Sequence, residues 1–313
     1  MTPGSGNYRP TRHCREIDSM RTVGTIGSRL HYRVHGAGSP VLLIHGLGSS
    51  GADWALQVPA LECGFRVIVP DLPGCGSSEH SADGCGIEAF ANTLWSLMDD
   101  LDEPQVNLVG FSLGGAVALE MALQRPDAVP HLALINSLAT YRVDHWRKWY
   151  EARVPAVLVR LLGMRIMARL LAGRSFPEPW QQQIRDRAVA AVGSVPAASY
   201  LAMATALERW SATDRLDRLR SSVLLIAAEH DFTPLPEKRA LAERIGAKLI
   251  VVRDSRHGTP FDAIELTNAC LVAHLNDRPM PARDTWVRDA VADAPAWLLA
   301  AGIAEEHAAS RSG

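Results

Sequence analysis

Short continuous apolar runs recur along the chain and alternate with segments whose apolar residues repeat at helical spacing. Apolar runs without polar alternation are typical of strands that are buried on both faces. The runs that we interpret as such strands are Val41–Ile44, Phe65–Val69, Val106–Val109, His131–Ser137, Ser222–Ala228 and Lys248–Val252. Strands that alternate with helices predict an α/β fold with a doubly wound parallel sheet. Ligands of such sheets bind outside the carboxyl ends of the strands.

The N-terminal part of the chain has a different pattern. Between Thr22 and Val34 apolar and polar residues alternate around a turn at Gly27-Ser28, which predicts a β-hairpin. The residues before it are mostly polar and lack the apolar centre of a secretion signal. We therefore expect residues 1–20 to form a disordered tail, and the native start to be either Met1 or Met20.

Composition excludes several classes of protein. The 313 residues are 47% hydrophobic, enough for one large core with an inserted subdomain, and the net charge of −2 gives no reason to expect a nucleic-acid partner. No apolar run is long enough to predict a transmembrane span. Phosphate-loop and dinucleotide fingerprints are lacking, so we expect no cofactor.

The cysteines are odd in number and show no metal-ligand spacing, which predicts reduced thiols, no bound metal and a cytoplasmic location. They are Cys14, Cys63, Cys75, Cys85 and Cys270.

One segment carries a clear chemical signal. A β-branched run that ends at Val109 passes through Gly110-Phe-Ser112-Leu-Gly114 and continues as a run of strong helix formers. The pattern predicts a strand, a sharp turn and a helix, with a serine on the turn. Glycine on both sides of Ser112 permits the strained bend of a nucleophile elbow, in which the serine hydroxyl stands exposed above the sheet.

Three motifs together resemble those of the α/β-hydrolase fold family. They are VLLIHG at 41–46, DLPGCGS at 71–77 and GFSLGG at 110–115, and the likeness covers about residues 22–275. The resemblance implies a mostly parallel eight-stranded sheet with an inserted helical cap. It also implies that Ser112 is the nucleophile, that the amides of Leu47 and Leu113 form the oxyanion hole, and that His45 supports the turn behind that hole.

The two other members of a catalytic triad should follow the serine in the order acid, then histidine. In the family the acid lies just beyond a strand, in a turn followed by Thr-Pro, and Asp231 matches that place; Glu229 is the second candidate. His257 lies on the loop after the last strand, as the base of the family does. His274 lies within a helical pattern, where a packing role is expected.

The region between residues 138 and 214 has no convincing strand and is rich in arginine. It resembles the helical cap that many members of the family carry. We therefore expect the α/β-hydrolase core at 21–137 and 215–275, the cap at 138–214 and a C-terminal tail at 276–313. Within the cap, Arg160, Arg165 and Arg169 recur among aliphatic residues. We expect a helix with its arginines outward; an apolar acyl-binding wall and a cationic helix on a membrane surface are the alternatives.

The predicted function is a serine hydrolase for an apolar carboxylic ester, thioester or lactone of small size. Other members of the family with the same triad are carbon–carbon bond hydrolases and cofactor-free haloperoxidases. The former commonly carry H-G-x-G-P-G, whereas Gly48 is followed here by Ser49-Ser50. A non-enzymatic binding module of the same fold is a further alternative, although such proteins usually lack a triad member. Leu161 and Leu162 are the candidate positions for lining an acyl pocket in the cap, together with cap tryptophans, and the sequence leaves open which of the two leucines faces the site.

Overall fold

The computed structural model describes residues 17–23, 28–79, 85–142 and 146–288. Eight strands form one sheet in the order β1-β2-β4-β3-β5-β6-β7-β8. The pairs β1/β2 and β2/β4 are antiparallel, and all other neighbours are parallel. The strands are β1 Ile17–Val23, β2 Ser28–His35, β3 Ser39–Ile44, β4 Phe65–Pro70, β5 Asn107–Phe111, β6 His131–Ile135, β7 Ser222–Ala228 and β8 Lys248–Val252. The predicted α/β class and the doubly wound, mostly parallel sheet are therefore confirmed.

Helices cover both faces of this sheet. They are α1 Val58–Leu61, α2 Ile87–Asp100, α3 Leu113–Gln124, α4 Trp146–Leu162, α5 Met164–Ser175, α6 Gln182–Ser194, α7 Ala197–Arg209, α8 Leu235–Ile245, α9 Thr259–Asp262 and α10 Ile264–Leu275. Short 3-10 helices lie at Gly51–Leu56, Pro126–Ala128, Pro179–Gln181, Thr213–Arg218 and Arg283–Thr285.

The apolar runs are strands that are buried on both faces, as the pattern predicts. Along β3, Leu42 and Ile44 belong to the core that includes α2, α3 and α8. Val41 and Leu43 belong to the opposite core, which includes α1 and α10. Because side chains alternate across a strand, a continuous apolar run supplies both cores. The parallel strands then bring their carboxyl ends to one edge, which is where the loops with the candidate chemistry lie.

The N-terminal tail is shorter than predicted. Strand β1 begins at Ile17 and pairs with β2 from Ile17↔Val34 to Val23↔Ser28, so the predicted disordered tail of residues 1–20 is too long by four residues. Residues 17–20 form backbone hydrogen bonds with β2, and their polar composition does not indicate this pairing. At the other end, Arg253 of the β8 edge forms a parallel bridge with Val287. Residues 1–16 and 289–313 lie outside the described residues.

Four helices, α4 to α7, lie between β6 and β7, where the inserted cap is expected; we call them the cap helices. Val159, Met164 and Met203 of these helices are buried in the same core as α3. Within the described residues no single helix is long and apolar enough to cross a membrane. The bent pair Pro179–Ser194 and Ala197–Arg209 together meets the requirement for length and composition.

Candidate active site

The serine singled out by the sequence lies on the turn between β5 and α3. Ser112 has φ 55° and ψ −118°, a conformation that L-residues rarely adopt, so the turn is strained. Helix α3 starts immediately after it and lies very close to β3. A Cβ on Gly114 would be 2.1 Å from the carbonyl oxygen of Ile44, so only glycine permits this approach. The close packing places the Ser112 side chain at the carboxyl edge of the sheet.

The histidine comes from the loop after β8. Nε2 of His257 lies 3.0 Å from Oγ of Ser112, and Nδ1 lies 2.8 Å from Oδ1 of Asp231. An ionised carboxylate can only accept a hydrogen bond, so Nδ1 carries the proton and Nε2 is free to accept the proton of the Ser112 hydroxyl. This is the arrangement of nucleophile, base and orienting acid that activates a serine.

The carboxylate of Asp231 is enclosed in the turn after β7. Its side chain is fully buried and accepts hydrogen bonds at Oδ2 from Thr233 Oγ1 and from Nζ of Lys238, a side chain that is only 1% exposed. Burial by itself raises the pKa of Asp231. The charges and hydrogen bonds of His257 and Lys238 outweigh burial and hold that pKa well below its usual range. Burial also lowers the pKa of Lys238, against the opposing effect of the Asp231 charge. Asp231 therefore stays ionised beside the histidine.

An asparagine after β6 holds the loop of the histidine. Nδ2 of Asn136 donates to the carbonyl oxygen of His257 at 2.8 Å and to Oγ1 of Thr259 at 2.8 Å. Its Oδ1 accepts from the backbone N–H of Ala228 at 2.7 Å and from Nζ of Lys238 at 3.3 Å. One fully buried side chain thus connects the end of β7 with the loop of His257.

The two residues predicted to form the oxyanion hole, Leu47 and Leu113, lie on segments next to the serine. The loop after β3 approaches so closely that a Cβ on Gly46 would lie 3.5 Å from Cβ of Ser112. Leu47 follows on this loop, and Leu113 begins α3. The first N–H groups of a helix have no intrahelical acceptor. Within the described residues, no hydrogen bond occupies the amide of Leu47 or of Leu113. Both amides are therefore available to donate a hydrogen bond.

The neighbouring His45 is bound into the loop itself. Its Nε2 accepts from the backbone N–H of Leu72 at 3.0 Å, and its Nδ1 donates to the carbonyl oxygen of Gly46 at 2.9 Å. The side chain is fully buried, and burial lowers its pKa below the ordinary value of 6.5. A neutral imidazole with both nitrogens occupied is suited to the supporting role that the resemblance implies.

Aromatic and cap residues surround the histidine. The ring centroids of Phe232 and Phe111 lie 4.1 and 5.1 Å from that of His257. Phe176, which follows α5, packs so tightly on Gly258 that a Cβ there would be 2.2 Å from its ring. On the other side, Tyr200 and Val192 of the cap helices contact the loop after β3 at Gly48, with 3.1 and 3.6 Å to the position of a Cβ. The immediate surroundings of the site are therefore mostly apolar.

The predicted lining positions differ from these. Leu161 and Leu162 are 75% and 49% exposed, so the structure turns them to the outer surface of the cap helices. Trp210 is buried and donates from Nε1 to Oε2 of Glu120 at 2.9 Å, which makes it a core residue. Side chains of Trp146 and Trp149 lie outside the described residues. Val192 of α6 and Tyr200 of α7, rather than these leucines, approach the loop after β3 at Gly48.

The sequence did not identify Lys238 or Asn136 as part of the site. A signal for the lysine exists: buried positions of α8 recur at Lys238, Leu241 and Ala242, so a charged residue stands on the apolar stripe of an amphipathic helix. Such a lysine requires a buried partner. Asn136 has φ 48°, which asparagine tolerates better than most residues, but nothing in the local pattern indicates its partners.

Side chains that could bind a metal ion, and cavities that could hold a small molecule, lie away from Ser112. Among the described residues, the ligand atoms of Glu229, His230 and Asp254 lie within 4.8 Å of one another. All three residues are exposed, and exposed acidic groups of this kind are common without an ion. Two surface cavities, of about 610 and 260 Å³, have no residue of the Ser112–His257–Asp231 set in their lining. None of these features touches the serine.

Known proteins match this chain over the segments that contain all three candidate residues. The model of the alpha/beta hydrolase fold family matches residues 39–263, a range that includes Ser112, Asp231 and His257. A relative from Variovorax paradoxus (strain S110), named "Putative carbamate hydrolase RutD", is 33% identical over 239 residues, which are 73% of this chain and 88% of the relative. The enol-lactonase of Burkholderia xenovorans LB400 has a TM-score of 0.74 at 25% identity, covering 82% of this chain and 100% of that one. A thermophilic esterase of Thermogutta terrifontis has a TM-score of 0.74 at 28% identity, with 83% and 98% covered.

Proposed function

The chain belongs to the α/β hydrolase fold family, and on this basis we propose that it is a serine hydrolase for carboxylic esters, thioesters or lactones. The observation that carries the proposal is the continuous hydrogen-bonded set Ser112 Oγ, His257 Nε2, His257 Nδ1 and Asp231 Oδ1. Nucleophilic catalysis by serine requires a base within about 2.6–3.2 Å and an acid that orients this base. Both requirements are met by these distances.

The proposed reaction has two halves. Oγ of Ser112 attacks the acyl carbon while its proton moves to Nε2 of His257, and the carbonyl oxygen becomes an oxyanion beside the amides of Leu47 and Leu113. The tetrahedral intermediate collapses, the bond to the leaving group breaks, and His257 returns the proton to the departing alcohol or thiol. Water then attacks the acyl-enzyme with His257 as base, which releases the acid and restores Ser112. Asp231 stabilises the imidazolium in both halves.

An apolar acyl group fits the surroundings of the site. Phe176, Phe232, Val192 and Tyr200 approach the catalytic loops, whereas no charged side chain among the described residues contacts Oγ of Ser112. Burying one more methylene contributes about 0.8 kcal/mol, so each added carbon raises kcat/KM roughly threefold to fourfold until the pocket is full. We therefore propose medium acyl or alicyclic substrates in preference to acetyl.

Carbamates are a second candidate class, because a relative that covers most of this chain has the name of a carbamate hydrolase. The same nucleophile and oxyanion donors serve a carbamate carbonyl. Carbon–carbon bond hydrolysis and haloperoxidation use the same triad in this family, but the first is disfavoured by Ser49-Ser50 after Gly48.

The free thiols of Cys63, Cys75, Cys85 and Cys270 support a cytoplasmic location.

The test is a panel of chromogenic esters of rising acyl length, with thioester, lactone and carbamate analogues. We expect turnover by the wild-type protein and an initial burst of about one chromophore per active site, the kinetic sign of an acyl-enzyme. Ser112→Ala and His257→Ala should each reduce kcat by several orders of magnitude with an unchanged circular dichroism spectrum. The controls are Ser222→Ala and His230→Ala, which remove exposed residues of the same types. Near-normal activity of Ser112→Ala would refute the proposal.

A further inference from the structure

Exposed large apolar side chains are concentrated on the cap helices α4 and α5. Among the side chains that the structure describes, six large apolar ones are exposed, and five of them lie on these two helices. The exposed fraction reaches 75% at Leu161 and 53% at Leu170. We call the outward surface of Val157, Leu161, Leu162, Ile166 and Leu170 the cap face. Apolar groups clustered on a surface mark a site of interaction.

The cap face is also strongly basic. Arg160, Arg165 and Arg169 are exposed between its apolar residues, and Arg174 lies one turn further on. No aspartate or glutamate occurs from residue 152 to 177, although the whole chain has a net charge of −2. Within the described residues, the side chains of the first three arginines have no ion-pair partner. The partner that fits is therefore apolar and anionic.

Helical spacing orders these residues into stripes. Ile166 and Leu170 are four positions apart on α5, as are Arg165 and Arg169, so an apolar row runs beside a basic row. The buried side of α5 carries Met164, Met167, Ala168 and Ala172. Because the inner side already has its own apolar residues, the exposed leucines are not needed to pack the helix on the core.

The end of α5 connects this surface to the catalytic histidine. The guanidinium carbon of Arg174 lies 5.8 Å from the ring centroid of Phe232. Phe232 is 46% exposed, the sixth of the exposed apolar residues, and its ring lies 4.1 Å from that of His257. A partner on the cap face would thus adjoin the route to Ser112.

We propose that the cap face docks on the surface of an anionic lipid bilayer. The leucines enter the boundary between headgroups and acyl chains, and the arginines bind the lipid phosphates, as in helices that lie in the membrane plane. A second copy of the chain fits less well, because an isologous contact would oppose the arginines of the two copies. The docking does not depend on the proposed hydrolase activity.

The experiment is sedimentation of the full-length protein with vesicles, without any ester. We expect binding to vesicles with about one third phosphatidylglycerol in phosphatidylcholine and much weaker binding to pure phosphatidylcholine, with loss of binding in 1 M salt. Arg165→Gln with Arg169→Gln should lower the partition coefficient about 25-fold, since each arginine near such a surface contributes about 1 kcal/mol. Leu161→Gln with Leu170→Gln should lower it about 100-fold.

The charge-matched control is Arg239→Gln with Arg278→Gln, which removes two exposed arginines outside the cap helices and should change binding less than threefold. Equal binding to both vesicle types, or an equal loss in the control, would overturn the proposal. So would a dimer in analytical ultracentrifugation that only the leucine variant dissociates, because the occupant would then be a second copy. A marked fall in Tm of the leucine variant would also overturn it, because another part of the chain would cover the face. Since the assay contains no ester, its failure leaves the proposed activity untouched.

Discussion

Nζ of Lys238 donates a hydrogen bond to Oδ2 of Asp231, while the other carboxylate oxygen lies 2.8 Å from Nδ1 of His257. Both side chains of the ion pair are buried, at 1% and 0% exposure. Lys238 and His257 therefore bind the same carboxylate. A buried pair of this kind costs desolvation energy, so its main effect is on the position and charge of Asp231.

We predict that Lys238→Met lowers both stability and turnover. Removing one partner of a buried ion pair leaves the Asp231 charge uncompensated, so the free energy of unfolding should fall by about 3 kcal/mol. Oδ2 of Asp231 also loses a hydrogen bond, so the carboxylate is held less firmly beside His257. We therefore expect kcat to fall while KM stays nearly unchanged. Urea unfolding and steady-state kinetics measure the two effects.

The matched control is Lys248→Met, at the exposed start of β8. It should leave both the unfolding free energy and kcat nearly unchanged. A Lys238→Met protein that is less stable but has the wild-type kcat would show that the lysine acts on folding alone.

We predict that Asp231→Asn reduces kcat by about 10⁴-fold while the chain stays folded, because the amide cannot stabilise the imidazolium or fix its tautomer. Glu229→Gln should change kcat less than twofold. Glu229 is exposed, and its Oε2 accepts from the backbone N–H of Asp254 at 3.1 Å, away from His257. Steady-state kinetics on the best ester measure both. If Glu229→Gln were the damaging change, the acid would be wrongly assigned.

Val192→Ala should alter the preference for acyl length. The substitution removes two carbons beside Gly48. The advantage of the preferred acyl group over acetyl should therefore fall by up to about 1.6 kcal/mol, or roughly 15-fold in kcat/KM. Leu161→Ala is the control, because its exposed side chain should not affect soluble esters. The measurement is kcat/KM across the ester series. A wild-type enzyme that is fastest on acetyl esters would contradict an apolar acyl pocket.

Acidification should destabilise the protein through His274. Burial, followed by the charges of His131 and Lys248, lowers its pKa from 6.5 to about 4. Between these two pH values the unfolded chain binds a proton and the folded one does not, so the free energy of unfolding falls as pH drops from 6.5 toward 4. The contribution is on the order of 3 kcal/mol at the acid end. Urea unfolding of His274→Leu at several pH values should show a shallower slope than wild type.

The comparison protein for this measurement is His230→Leu, which removes an exposed histidine. Its slope between pH 4 and 6.5 should match that of the wild type. Equal slopes for His274→Leu and wild type would mean that another group controls the acid sensitivity.

Much of the fold could be predicted because its causes are local. Each buried strand is a short continuous apolar run, and the bend at Ser112 needs glycines at fixed neighbouring positions. The order of strands and helices then implies a parallel sheet, whose carboxyl ends meet at one edge. This reasoning suffices to bring the loops of Ser112, Asp231 and His257 to the same edge, although the family resemblance was needed to prefer Asp231 over Glu229.

The sequence by itself thus determined the class of the fold, the tight turn at Ser112 and the loops that hold the candidate residues. Only the tertiary structure decided that Lys238 and Asn136 lie against Asp231 and the loop of His257, because Asn136 lies 102 residues from Lys238 and 121 from His257. It also decided which side of α4 and α5 faces outward: these helices have apolar residues on both sides, so periodicity could not distinguish Leu161 from Met164. The strand pairing of residues 17–20 was likewise hidden. Contacts between distant segments depend on packing, which a local pattern does not encode.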